Sequence, residues 1–135
     1  MEQSAAIQAY LTAIADASLR AQAMQLFQVM YGATGAAPQM WGTSIVGFGT
    51  LYFTYPASGG GDKTVNVGFA AQQAANRLVL YGLLTYPPNV SRLAQLGPHA
   101  TDRGRLYIGD MSKIDRQVLA KLVATAYKVR AAQAG

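Results

Sequence analysis

A change of hydrophobic periodicity near residue 38 constrains the fold of this chain more than any other feature. Before this point apolar residues recur every three to four positions, as on one face of an amphipathic helix, and they predict helices over 4–14 and 17–32. Asp16 stands where the second helix needs an N-cap. After Ala36-Ala37-Pro38 the period becomes two, which is typical of a strand with two different faces.

The rest of the chain continues this pattern with short strands and two further helices. Strands are predicted over 45–55, 64–69, 76–83 and 105–108, with a glycine-rich loop over 56–62. Helices are predicted over 90–96 and 113–131. The order α-α-β-β-β-α-β-α favours a single α+β domain over 1–135. We expect an antiparallel sheet of four, or five, strands, with the N-terminal helical hairpin and the C-terminal helix on one face.

Composition excludes several classes of protein. The chain is 51% hydrophobic and only 13% charged, so it is too apolar for intrinsic disorder. It has no cysteine, which excludes disulfide scaffolds, thiolate metal sites and cysteine nucleophiles. No apolar stretch approaches the roughly 20 residues of a membrane span, and no signal peptide is visible. We therefore expect a cytoplasmic protein with no membrane partner.

The positive charge is concentrated in the last third of the chain. The formal net charge of +5 falls within residues 92–135, where basic residues outnumber acidic ones. A basic surface can attract phosphate-rich partners, but spaced charges are also typical of a solvated loop and helix face, which is the more common case.

Several segments resemble one known family. The segments are Met40-Trp41-Gly42, Ser44–Gly49, Leu78–Tyr81, and Leu96-Gly97 followed by His99, Thr101 and Leu106-Tyr107-Ile108. In this order they are similar to the signature of the YdhG-like family, bacterial domains of unknown function, over roughly residues 5–127. The resemblance implies a compact α+β fold and no settled activity, although one branch is described as frataxin-like and intracellular, and as binding iron.

The chain departs from that family where the family is basic. Pro98 and Ala100 stand at positions that are typically lysine, and Gln72 and Gln73 replace a basic pair. If relatives bind an anion there, this function is weakened here or has moved to Arg103 and Arg105.

The candidate chemical groups are few. His99 is the only histidine, and no nucleophile or carboxylate at triad spacing accompanies it, so we expect a loop-stabilising residue bonded to backbone and no catalytic residues. Iron prefers clustered carboxylates or histidines, and only Asp110, Asp115, His99 and Asp102 are conceivable; we therefore predict no metal site and no cofactor, with iron as a weak alternative.

The remaining candidates are aromatic and basic residues near the predicted strands. Trp41 and Tyr52 are expected to line a pocket with Arg103 or Arg105 at its mouth. The complete set of predicted ligand-binding residues is Trp41, Tyr52, Tyr81, His99, Thr101, Arg103 and Arg105.

These features predict a non-enzymatic domain that binds a small molecule or a protein. A frataxin-like iron-binding protein and a basic nucleic-acid accessory module are the alternatives; nucleobase stacking on the sheet aromatics would support the latter, but the signature of the known stacking module is absent. Apolar residues on both faces of the strands indicate an apolar surface that the helices do not cover. Because such surfaces are typical of interfaces, we also expect a homodimer.

Overall fold

The computed structural model describes residues 2–54 and 59–134 of the chain. Two helices, α1 (Glu2–Thr12) and α2 (Ala17–Thr34), precede four strands, β1 (Pro38–Trp41), β2 (Ile45–Thr54), β3 (Gly61–Gln72) and β4 (Arg77–Tyr81). Helix α3 (Pro87–Arg92), strands β5 (Ala100–Asp102) and β6 (Arg105–Ile108), and helix α4 (Arg116–Ala134) follow. The predicted strand residue Tyr55 and the loop residues 56–58 lie outside the described part.

The strands form one antiparallel sheet in the order β1-β2-β3-β4-β6-β5. The α+β class is therefore confirmed, whereas the predicted count of four or five strands is too low. The two additional strands, β1 and β5, are the short strands at the two edges of the sheet. Strand β5 has only three residues, and β1 begins at Pro38, where the helical pattern breaks off, so alternation marked neither of them.

The boundaries of the central elements also differ from the predictions. Strand β3 runs on to Gln72, three residues beyond its predicted end at 69, because Ala71 and Gln72 pair with β4. Asp16 is confirmed as the N-cap of α2, since its Oδ1 accepts a hydrogen bond of 2.8 Å from the Leu19 amide. Oδ1 of Asp115 accepts hydrogen bonds from the amides of Gln117 (3.0 Å) and Val118 (3.1 Å). Helix α4 therefore starts after Asp115, later than predicted.

The main core lies between the helices and one face of the sheet, which we call the covered face. Its largest members from the sheet are Phe48, Phe69, Leu78, Leu80, Leu106 and Ile108, all fully buried. Asn89 of α3 is buried as well, and its amide donates to the carbonyls of Leu83 (2.8 Å) and Leu122 (3.0 Å). This amide thereby ties the end of the sheet to α4.

The opposite face, which we call the open face, has its own small cluster. It contains Ala70, Val79 and Tyr107, packed against Ile45 and Tyr81, with no residue from any helix. All of these side chains come from β2, β3, β4 and β6. The open face is thus the side of the sheet on which side chains remain accessible to a ligand.

Strict alternation fails in β2 at Gly49. Phe48 faces the helices, and a Cβ atom built on Gly49 would lie 2.6 Å from Cε1 of Tyr127 in α4, so two consecutive positions face the same side. The φ angle of +83° at Gly49 makes this possible, because glycine adopts it without steric cost. The residues beyond Gly49 are therefore displaced from the faces that alternation predicts.

Candidate functional site

The predicted ligand-binding residues do not form one site. Trp41 ends the edge strand β1, whereas Thr101 lies in β5 at the other edge. Five strand spacings of about 4.8 Å separate the two edges, roughly 24 Å in all. The pocket expected between Trp41 and Arg103 is consequently not formed, since Arg103 occupies the turn between β5 and β6.

Trp41 and Tyr52 lie on the β1–β2 side of the sheet. The indole of Trp41 rests on the Gly47 backbone, where an added Cβ would be 2.5 Å from Cδ1. Its Nε1 is buried and has no hydrogen-bond partner among residues 2–54 and 59–134. Tyr52 is 67% exposed and pairs with Lys63. Neither ring contributes to the open-face cluster around Tyr107.

Tyr81 and Arg105 are brought together. The register of β4 against β6 places Val79 opposite Tyr107, which makes Tyr81 and Arg105 neighbours on the open face. Arg105 also hydrogen-bonds the phenol of Tyr107, which is the main cause of the raised pKa of Arg105. Thr101 pairs with Leu106, whose side chain lies on the covered face, and Arg103 lies in the turn between β5 and β6; both residues are exposed.

A concavity with several charged and polar side chains lies at the end of the open face, beside Arg77; we call it the Arg77 cavity. Its volume is about 370 Å³, within the range of small-molecule sites. It is lined by β4, the loop before β5, β6 and the 3₁₀ helix Met111–Lys113. The residues with functional groups are Asn76, Arg77, His99, Tyr107, Asp110 and Lys113. Of these, only His99 belongs to the predicted ligand-binding set, and Asp110 was named only as a conceivable iron ligand.

Arg77 is the central group of this cavity. Its Cζ lies 3.9 Å from the centroid of the Tyr107 ring, in a cation–π arrangement. Its Nε donates to Oε1 of Gln72 at 2.7 Å. Together these contacts hold the guanidinium in place, while in the described part of the chain Nη1 and Nη2 have no hydrogen-bond partner.

His99 and Lys113 face the cavity from two other segments. Nδ1 of His99 lies 2.7 Å from the carbonyl oxygen of Gly97, to which it must donate, so Nε2 is the acceptor in the neutral ring. The predicted hydrogen bond of His99 to backbone is thereby confirmed, while a role in stabilising the loop stays a prediction. Lys113 makes no hydrogen bond with its ammonium in the described structure.

Asp110 is the one carboxylate at the cavity. Its Oδ1 accepts from the hydroxyl (2.6 Å) and the amide (3.0 Å) of Ser112, and these bonds lower the pKa of Asp110. Asp110 therefore stays ionised, and its Oδ1 caps the 3₁₀ helix Met111–Lys113. Because Arg77 and Lys113 are both positively charged and Asp110 is the single carboxylate, the cavity has a net positive charge.

Alternation in β4 was the signal that could have found Arg77, because it places Arg77, Val79 and Tyr81 on one face. No such signal existed for Lys113. Its position depends on how the chain returns to the sheet after β6, which local periodicity does not encode.

The structure contains no group of three or more His, Asp or Glu side chains that could hold a metal, as far as residues 2–54 and 59–134 are concerned. The residues described thus do not fit the iron that the frataxin-like branch would imply. Within the same residues no helix is long and apolar enough to cross a membrane.

No family model, curated protein or solved structure matches the chain. The resemblance to the YdhG-like family therefore stays a prediction.

Proposed function

We propose that this chain is a non-enzymatic, cytoplasmic YdhG-like domain that binds a small anionic ligand in the Arg77 cavity. The observation that carries the proposal is the guanidinium of Arg77, held over the Tyr107 ring with both terminal nitrogens unpartnered in the described structure. A planar guanidinium with two parallel N–H groups matches the two oxygens of a phosphate or carboxylate.

The neighbouring groups support the same ligand class. Lys113 adds a second permanent positive charge. Nε2 of neutral His99 is an acceptor, so it can accept a hydrogen bond from a protonated oxygen of the ligand, such as the P–OH group of phosphate. Because the guanidinium is preoriented by Gln72 and Tyr107, binding an anion costs little additional side-chain entropy.

The geometry favours a small ligand over a nucleic-acid strand. Sequence-independent binding of single strands needs accessible aromatic faces on which bases stack. Tyr107 is only 6% exposed and Arg77 lies over its ring, which leaves Tyr81 as the partly exposed aromatic residue of the open-face cluster.

The homodimer remains a prediction with a weaker physical basis. It depended on uncovered apolar strands, yet Val79 is fully buried by its neighbours on the open face. The exposed large apolar residues among those described, Tyr31, Tyr52 and Val90, lie on three different elements. Sedimentation at micromolar concentration tests the dimer directly.

Titration with inorganic phosphate, followed through backbone amide NMR shifts, tests the proposed ligand class. We expect saturable shifts centred on Arg77, His99 and Lys113. Arg77→Gln should weaken binding by roughly tenfold to a hundredfold, since a hydrogen bond to a charged group contributes about 1.5–3 kcal/mol. A parallel titration with acetate distinguishes a phosphate site from a general anion site.

Matched controls are available on α4. Arg116→Gln and Lys121→Gln remove the same charges from exposed positions that do not line the cavity, and they should leave phosphate affinity nearly unchanged. Lys113→Gln should weaken it. Equal losses in the control and cavity variants would show diffuse attraction to a basic surface and contradict the proposal, as would the absence of saturable shifts.

A further inference from the structure

A second concavity, larger than the Arg77 cavity, lies between the two N-terminal helices. Its volume is about 440 Å³, within the range of small-molecule sites. Ile7 and Leu11 of α1 form one wall, Met24, Phe27 and Tyr31 of α2 form the other, and Pro38 closes one end. We call it the hairpin cavity. The anion-binding proposal above does not involve it.

An aromatic row runs along the α2 wall. Phe48 in the core and Phe27 have ring centroids 5.7 Å apart, and Phe27 and Tyr31 have theirs 6.1 Å apart, both in tilted arrangements. The row begins at a fully buried ring and ends at Tyr31, which is 46% exposed. Such a wall offers ring faces and edges to a planar guest, and a guest there would bury the rest of Tyr31.

No residue that lines the hairpin cavity carries a charge at neutral pH. Its polar groups are the phenol of Tyr31 and the amides of Gln8 and Gln28, whose side chains have no hydrogen-bond partner in the described structure. A charged guest would lose its hydration without a compensating ion, whereas a neutral apolar guest with one or two polar atoms would find partners.

The two helices are held in place independently of the cavity. Nη1 of Arg20 donates to the Ile14 carbonyl at 2.7 Å, and the Ala15 amide donates to Oε1 of Gln73 at 3.0 Å, which fixes the joint between the helices. The Ala71 amide donates to the hydroxyl of Tyr10 at 2.9 Å and thereby ties α1 to β3. A guest therefore enters a preformed cleft and does not have to separate the helices.

From these observations we infer that the hairpin cavity is a binding site for an uncharged, largely apolar aromatic small molecule. Met24 supplies an adaptable thioether to the wall, so the cavity tolerates some variation in guest shape.

Titration with the neutral fluorophore N-phenyl-1-naphthylamine tests this inference. We expect one molecule to bind per chain with blue-shifted emission and a Kd on the order of 100 µM, as typical ligand efficiencies give for a molecule of this size. Amide NMR shifts should centre on Ile7, Phe27 and Tyr31.

The variant Met24→Trp should fill the cavity and weaken binding by about tenfold or more. Val90→Trp, at a position 53% exposed on α3 and outside the cavity, is the matched control and should bind as the unaltered protein does. Gln28→Glu, at an exposed position on the rim, changes one atom and serves if Met24→Trp fails to fold; it should weaken binding of the neutral probe severalfold.

Three results would overturn the inference. The first is the absence of saturable binding. The second is a set of NMR shifts centred on the open face, at Ile45 and Tyr81. The third is dissociation of a dimer when the probe is added, because this would show that the hairpin cavity is an interface between two copies. Phosphate binding at the Arg77 cavity is measured separately, so the failure of one proposal leaves the other intact.

Discussion

Leu78 and Leu80 of β4 are buried on the covered face, beneath the helices. Val79, between them in the sequence, is equally buried on the open face, which no helix of the described structure covers. The difference lies in what does the covering. Leu78 and Leu80 lie beneath rigid backbone and packed side chains from several elements. Val79 lies beneath long side chains of its own sheet, notably Tyr107 and Tyr81.

This comparison shows that equal burial does not mean equal constraint. A helix laid on a sheet cannot rearrange without breaking its own contacts, but a tyrosine or an arginine can change rotamer at modest cost. The covered face is therefore suited to stability, and the open face is suited to ligand contact. Arg77 and Arg105 provide the charged groups there, and Tyr107 connects them.

Replacing one buried aromatic residue on each face should give the largest contrast. We expect Phe48→Ala to lower the free energy of unfolding by about 3–5 kcal/mol, because the helices hold the resulting cavity open. Tyr107→Ala should cost less than about 2 kcal/mol, since solvent and flanking side chains can fill its place. Urea denaturation of both variants measures the difference, and equal losses would mean that the two faces are equally rigid.

Gly47→Ala probes the contact between the open face and Trp41. A methyl group there would lie 2.5 Å from Cδ1 of Trp41 and 2.5 Å from Cγ2 of Val65, so the indole must move. We expect a loss of about 1–3 kcal/mol and a red shift of the emission of this single tryptophan.

The matched control for that variant is Gly32→Ala in the interior of α2, where the added methyl meets no atom within 4 Å. Alanine is the better helix former, so this control should gain roughly 0.5–1 kcal/mol and leave the emission unchanged. A Gly47→Ala protein with native emission would show that Trp41 does not rest on the Gly47 backbone.

The smallest expected effect on stability concerns the hydrogen bond that attaches helix α1 to the sheet. Ala71 lies in the part of β3 that extends past the start of β2. The hydroxyl of Tyr10 accepts a hydrogen bond from the Ala71 amide there. Tyr10→Phe removes this acceptor and should cost about 1 kcal/mol at neutral pH.

The same residue gives a pH dependence with a defined sign. Burial is the main cause that raises the pKa of Tyr10 above its ordinary value of 10.0. Above pH 10 the unfolded chain loses this proton more readily than the folded chain does, so the stability due to Tyr10 is present below pH 10 and is lost as the pH rises further. Denaturation at pH 8 and above pH 10 should show a smaller decrease for Tyr10→Phe than for the exposed-site control Tyr31→Phe; an equal decrease would refute the assignment.

Local sequence signals were sufficient for the class of the fold and for its longest elements. Helical periodicity located α2, and Asp16 marked its start, because a cap and a helix face are properties of neighbouring residues. Period-two alternation located β4 and placed Arg77, Val79 and Tyr81 on one face. These are interactions within a few residues, which any correct fold must satisfy.

Other features depended on residues far apart in the chain. The edge strands β1 and β5 exist because neighbouring strands supply their hydrogen bonds, and Gly49 reverses a face because Tyr127 packs against it. Trp41 and Arg103 were grouped by residue type alone, and the strand order then placed them at opposite edges.

By itself, the sequence determined that the chain is an α+β domain with two amphipathic N-terminal helices and a basic C-terminal third. Only the tertiary structure decided that Arg77, His99 and Lys113 share one cavity and that the helical hairpin encloses another. The physical reason is that periodicity records which side of an element is apolar. Strand order, register and the return of the chain after β6 decide which polar sides meet.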